Sequence, residues 1–183
     1  MYGLVNKAIQ DMVCNRFGGK MWKDIKRKAL VEEDVFISME SYPDDMTHRL
    51  IKATSIILGL SSSKIMQLFG EYWVQYTAKE GYGELMDMGG DTLPEFLENL
   101  NNLHAHVGVN FPKLEPPSFE CTHVEEDALV LHYHSTREGL SPMIIGLVKG
   151  LGKRFNTEVD VIQIQNRNKN SDYDEFLVKY KPN

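Results

Sequence analysis

The segment Phe111-Pro112-Lys113-Leu114-Glu115-Pro116-Pro117 divides the chain into two kinds of pattern. Proline has no backbone N–H and disfavours helix in the residue before it, so two adjacent prolines hold this stretch extended. Before it, apolar residues recur every three or four positions. Leu4, Val5, Ala8, Ile9, Met12 and Val13 form one such set, and Trp22, Ile25, Ala29 and Leu30 a second. Leu50, Ile51, Ala53, Ile56 and Ile57 follow Asp44 and Asp45, either of which can cap a helix. Ile65, Leu68, Phe69, Tyr72, Trp73 and Tyr76 follow the serines at 61–63 in the same way. Thr92-Leu93-Pro94-Glu95 has capping-box spacing with proline in the first turn, and predicts a helix running to about Gly108.

Beyond the prolines the period falls to two. Phe119 and Cys121 begin one strand, and Leu129, Leu131, Tyr133 and Ser135 alternate with Val130, His132 and His134 in the next. A helical period returns from Leu140 to Phe155. Val159 to Ile164 and Phe176 to Tyr180 then alternate again. Strand, strand, helix, strand, strand implies an α+β fold, with an antiparallel sheet of four strands and helices on one side.

The chain has 183 residues, 42% apolar and 25% charged, which suits one globular domain with a real core. A net charge of −6 argues against a nucleic-acid partner, which would call for a basic face. The longest apolar stretches are too short to span a membrane. Cys14 and Cys121 lie far apart and make no CxxC pair, and the first residues lack a basic segment followed by an apolar run. The expectation is a cytoplasmic protein without a signal peptide.

His104 occupies a position where an apolar residue belongs. Leu93, Leu97, Leu100, His104 and Val107 fall on one helical stripe. His106 lies about 200° further round and should face away. Two readings stand: a core histidine with a hydrogen-bond partner, or a neutral imidazole that ligates a metal or haem.

In Tyr133-His134-Ser135-Thr136-Arg137, a regular strand would send Tyr133, Ser135 and Arg137 to one face, the one shared with Leu129 and Leu131. An arginine aimed near a core needs an anion. That anion is either an acidic side chain of the chain itself or a bound carboxylate, to which tyrosine and serine add donors. A further possibility is a metal site from Cys121, His123, His132 and His134, if the first two strands pair in a suitable register.

The order and spacing of Tyr133-x-Ser135-x-Arg137, Leu103 to Gly108, Met1-Tyr2-Gly3, Phe69-Gly70-Glu71 and Gly83-Glu84-Leu85 are similar to those of the haem-nitric oxide/oxygen binding (H-NOX) domains. These are the regulatory haem domain of soluble guanylate cyclase and its bacterial relatives. The resemblance covers essentially the whole chain. It implies a helical distal subdomain over about residues 1–60 and a proximal subdomain carrying the sheet over about 61–183, with haem b between them. It implies His104 as iron ligand, Tyr133, Ser135 and Arg137 as the group that binds the haem propionates, and Pro117, thirteen residues after the ligand, as the residue that bends the haem.

The resemblance also bears on the gas. Oxygen-binding members carry a distal tyrosine in the helix after the Tyr-x-Ser-x-Arg strand. The matching position here is Met143, and Trp73, Val5 and Ile9 are the other distal residues implied. Bound oxygen gains from a hydrogen-bond donor more than nitric oxide or carbon monoxide does. The reading is a sensor of nitric oxide and carbon monoxide that excludes oxygen; only the single N–H of Trp73 argues the other way. In such domains gas binding weakens the iron–histidine bond, and the change passes to a partner such as a cyclase, a histidine kinase or a cyclic-dinucleotide enzyme. The alternatives are a haem enzyme of peroxidase or dioxygenase type, or an oxygen-binding sensor. A peroxidase would want a distal histidine beside an arginine, and the implied distal side has neither.

Overall fold

The computed structural model describes residues 1–111, 113–168 and 171–182, Pro182 by its backbone alone. The chain forms two compact units, Met1–Phe69 and Gly70–Asn183. The division falls within one helix, nine residues beyond the boundary at residue 60 that the resemblance implies.

The first unit is helical. Helix α1 (Gly3–Ala29) combines the two N-terminal apolar sets, and Gly18, at φ 83° and ψ 161°, interrupts its helical backbone between them. Leu30 ends it in the left-handed conformation. Helix α2 (Asp44–Leu58) carries Asp44 and Asp45 in its first turn, where they complement the positive end of the helix. Its Arg49 reaches the carbonyls of Ala29 and Leu30, so a cation closes the negative end of α1. Asn6 of α1 is fully buried and accepts a hydrogen bond of 2.7 Å from Thr47 of α2, which fixes how the two helices pair. Helix α3 (Ser62–Thr77) runs from this unit into the second.

A π-helical turn (Ala78–Tyr82) and the short helix α4 (Gly83–Asp87) follow. The Thr92 capping box is formed, with Thr92 and Glu95 satisfying each other's backbone N–H groups. The single helix expected from Thr92 to Gly108 is instead two, α5 (Leu93–Glu98) and α6 (Leu100–Asn110). Asn99 separates them at φ −91° and ψ 1°. Asparagine side chains compete with helix backbone, and here the Asn99 carboxamide accepts from Asn102 at 3.3 Å. The break has a consequence for packing. Leu93, Phe96 and Leu97 of α5 are buried, whereas no residue of α6 is.

The sheet comprises β1 (Ser118–Thr122), β2 (Ala128–His134), β3 (Thr157–Gln165) and β4 (Tyr173–Pro182), with helix α7 (Ser141–Arg154) between β2 and β3. Strand order is β1-β2-β4-β3, antiparallel throughout. Alternation assigns the faces as expected. Phe119, Leu129, Leu131, Tyr133, Val161, Phe176, Val178 and Tyr180 point to the core, where they meet Leu93, Phe96, Leu97, Ile144, Val148 and Leu151 from the helices. Helices α3 and α7 cross with backbones nearly touching. A Cβ on Gly70 would overlap the Met143 carbonyl, and one on Gly150 would stand 2.9 Å from the Glu71 carbonyl oxygen.

Candidate functional site

His104 and Tyr133 come together on the β1–β2 side of the sheet. His104 is half-buried on α6, and its ring lies 5.9 Å from that of Phe119. Phe119 in turn lies 5.5 Å from Tyr133. An aromatic row thus links the helix histidine to the Tyr-x-Ser-x-Arg segment. His106 is exposed and turned back along its own helix, with Nδ1 2.7 Å from the Asn102 carbonyl.

His104 Nδ1 is buried and has no hydrogen-bond partner. Burial pushes its pKa below the ordinary imidazole value, and the Pro117 backbone opposes the shift only in part. Since proline has no N–H, the group concerned is the Pro117 carbonyl. It is close enough to attract a ring proton without completing a hydrogen bond. The ring is therefore neutral near pH 7. A neutral imidazole that holds its proton on the Pro117 side leaves the lone pair of its other nitrogen for a metal.

Helix α6 is tied to the sheet by one side chain. Asn101 donates to the Phe119 carbonyl at 2.7 Å and accepts from the Phe119 amide at 2.9 Å. This carboxamide pairs with the open edge of β1 as a further strand would. Asn101 precedes His104 by one helical turn, so the clamp also sets the histidine's height above the sheet. The apolar pattern gives no sign of this residue. Its only signal is an asparagine on the face shared with His104.

Strand β2 ends at His134, so Ser135 and Arg137 do not reach the site by strand alternation, contrary to the expectation. A turn brings them there. The Arg137 amide donates to Ser135 Oγ at 3.1 Å, the local bond that serine makes in turns. Arg137 Nη1 donates to the Glu115 carbonyl at 2.6 Å, and Nη2 lies 3.9 Å from the Glu115 carboxylate. Tyr133 is buried. Burial raises its pKa above the ordinary phenol value, while a hydrogen bond with Ser135 and the charge of Arg167 act against the rise. The phenol stays protonated and can donate.

Two further residues escape the sequence reading. Asp174 is 2% exposed, on the core face of β4 directly opposite Tyr133. Arg167 holds it through Nε at 3.1 Å and Nη2 at 3.0 Å. A signal exists: the alternation of Phe176, Val178 and Tyr180, continued back by two, lands on Asp174. A carboxylate in that phase requires a cation.

The remaining candidates divide between the units. Trp73 and Met143 lie on α3 and α7 near the Gly70 crossing, both half-buried. Trp73 packs on Tyr76 at 6.4 Å between ring centroids. Val5 and Ile9 belong to the first unit, Val5 half-buried and Ile9 fully buried on α1. The metal site from Cys121, His123, His132 and His134 is not formed. Cys121 pairs with Leu131 and faces the core, His132 pairs with Glu120 on the other face, and His123 lies beyond β1 in the left-handed conformation. Among the described residues no group of three or more His, Cys, Asp or Glu could hold a metal ion. Nor is any helix of the described residues long and apolar enough to cross a membrane.

A half-buried histidine with a buried ring nitrogen that lacks a partner, linked through Phe119 to Tyr133, is chemistry suited to a metal or a prosthetic group. The sequence pattern of the haem-NO-binding family matches residues 2–163, and the chain belongs to that family. It is 31% identical over 160 residues to soluble guanylate cyclase gcy-31 of Caenorhabditis elegans, covering 87% of this chain and 23% of that protein. It is 30% identical over 188 residues to gcy-35 of the same organism, covering 98% of this chain and 26% of that protein. The chain therefore spans about a quarter of the length of these guanylate cyclases. Among solved structures, the fold is shared with an H-NOX protein from S. oneidensis in the Fe(II)NO state (TM-score 0.89, 17% identity, 99% of each chain). It is also shared with the unliganded Fe(II) H-NOX protein from K. algicida (TM-score 0.85, 20% identity, 100% of this chain and 98% of that one). The chain is thus a haem-binding sensor domain, regulatory in kind.

Proposed function

We propose that this domain holds haem b through His104 and senses nitric oxide, with carbon monoxide as a surrogate, in the cytoplasm, and passes the signal to a partner enzyme. One observation carries the reading: the half-buried ring of His104 leaves its buried Nδ1 without a hydrogen-bond partner. In this reading Tyr133, Ser135 and Arg137 would bind the propionates, and Pro117 would be the residue that bends the haem. The first unit and the second are the distal and proximal subdomains. Bound haem would supply a ferrous centre able to take a diatomic gas.

What the protein adds is selectivity and readout. Met143 has no hydrogen to donate, which disfavours oxygen and leaves nitric oxide and carbon monoxide little affected. Trp73 is the other distal residue of this unit in the reading, and Val5 and Ile9 are those of the first unit. His104 would hold the iron from α6, an element with no buried residue, so a change at that bond would be felt in the helix before the sheet. The names of the relatives support a guanylate cyclase as the output, and a histidine kinase or cyclic-dinucleotide enzyme is the other form the output takes. For this to be signalling, the gas must bind one conformation more tightly than the other.

Oxygen sensing has one observation on its side: Trp73 and Tyr76, both able to donate, pack together on α3. The absorption spectrum of the reduced protein separates the two readings. We expect no lasting change in air and, under nitric oxide, the Soret shift that marks loss of the histidine ligand. A stable spectral change in air overturns the assignment of the gas and leaves the haem in place.

A further inference from the structure

We propose that Arg167 is a positioning residue that aims the carboxylate-binding turn at Ser135–Arg137, with Asp174 as its anchor. The inference rests on the reading of Tyr133, Ser135 and Arg137 as the propionate-binding group.

Three contacts converge on one guanidinium. Nε and Nη2 hold the buried Asp174 carboxylate. Nη1 donates to the Ser135 carbonyl at 2.6 Å. The guanidinium carbon stands 5.8 Å from the centre of the Tyr133 ring. Asp174 is fully engaged, since its other oxygen accepts from the Arg167 amide at 3.1 Å and from Gln163 Nε2 at 3.0 Å. The anchor is therefore rigid, and it is fixed to the sheet in register with Tyr133.

Two features make this a positioning role. The positive charge of Arg167 is neutralised by a carboxylate only 3% exposed, so it does not compete with Arg137 for a ligand's charge. And what it grips is the main chain of Ser135, whose hydroxyl accepts from the Arg137 amide and hydrogen-bonds with Tyr133. Holding that carbonyl fixes the plane of the turn from which Ser135 Oγ and Arg137 project. Only a planar fork can reach Asp174 and Ser135 together; a lysine head is a single point charge.

The test compares Arg167→Lys with the parent protein. Lysine keeps a cation beside Asp174 but cannot also hold Ser135. In the haem-free protein we expect the Arg137 amide to exchange about tenfold faster, the effect of losing one charge-assisted hydrogen bond, while Leu129 and Leu131 keep their protection. In the haem-loaded protein, transfer of haem to excess apomyoglobin should be about tenfold faster. The double variant Arg167→Gln/Asp174→Asn leaves no buried charge and should behave alike. Unchanged exchange at Arg137, or a uniform loss of protection across β2 and β4, overturns the proposal. Arg137→Gln tests the underlying reading separately. If it leaves haem transfer unchanged while Arg167→Lys still frees the turn, the propionate assignment fails and the positioning of the turn survives.

Discussion

Helix α6 and strand β2 both carry residues of the candidate site, yet they are held in opposite ways. Leu129, Leu131 and Tyr133 of β2 are essentially inaccessible; β4 pairs with all three, and β1 pairs with Leu131 and Tyr133. Helix α6 buries no residue completely, rests on the core through Leu100 and Leu103, and is clamped to the sheet by Asn101. The side chain proposed to ligate iron thus sits on the loosely held element, and those proposed to bind propionates sit on or just beyond the firm one. A sensor needs such a difference, because elements that move in regulation are drawn from the less stable parts of a fold.

The comparison breaks most completely at His104. His104→Gly should abolish retention of haem, read as loss of the Soret band, and added imidazole should restore it. The fold of the haem-free protein should survive, because the lost ring completes no hydrogen bond. If His106→Gly abolished the band instead, the ligand assignment would be wrong.

Next in size is the core. Leu131→Ala should cost about 2–5 kcal/mol in denaturant unfolding, as expected for a large-to-small change at a fully buried site. Leu103→Ala on α6 should cost about 1 kcal/mol. Equal costs would mean that the helix is as firmly held as the strand. Asn101→Ala should lower stability by about 1–3 kcal/mol, since it leaves the Phe119 amide and carbonyl without partners. Its effect should concentrate in faster amide exchange along α6, and a loss of protection spread over the sheet would contradict the clamp.

The smallest effect concerns Cys121. Burial first, then Glu98 and Glu120, push its thiol up to about 11. A raised thiol pKa means that the folded state holds the proton more tightly than the unfolded one. The stabilisation is complete below the unfolded value of about 8.5 and is lost as pH rises towards 11. Alkylation of Cys121 at pH 8 should be about a hundredfold slower in the native protein than in the unfolded chain. Comparable rates would show that this edge of the sheet opens freely.

Periodicity alone makes most of this fold legible. The prolines at 116 and 117 mark the change from helix to sheet, and the core face of every strand follows from alternation. The capping box at Thr92 is also readable, because both partners lie within four residues. What is not readable depends on single residues that break a pattern. Asn99 ends a helix whose apolar stripe continues past it. Ser135 turns a chain that alternation would keep straight. At the site, His104 and Tyr133 stand out because they are polar on an apolar face. Arg167 does not, since its partner Asp174 lies seven residues further on and only the register of β4 brings the two to Tyr133. Cys121 and His132 show the same limit: they fall on opposite faces, because one residue of register decides which face each side chain takes.

The glycine crossing of α3 and α7 divides the labour of tuning. With main chain pressed against main chain at Gly70 and Gly150, the spacing of the two helices is a fixed gauge, indifferent to what their side chains are. Trp73 and Met143 can then be exchanged like jaws in a chuck whose opening stays the same. On the reading proposed above, in which Trp73 and Met143 face the gas, one such residue can be replaced with no need to rebuild the frame that carries it. Any side chain at Gly70, alanine included, would pry that frame apart.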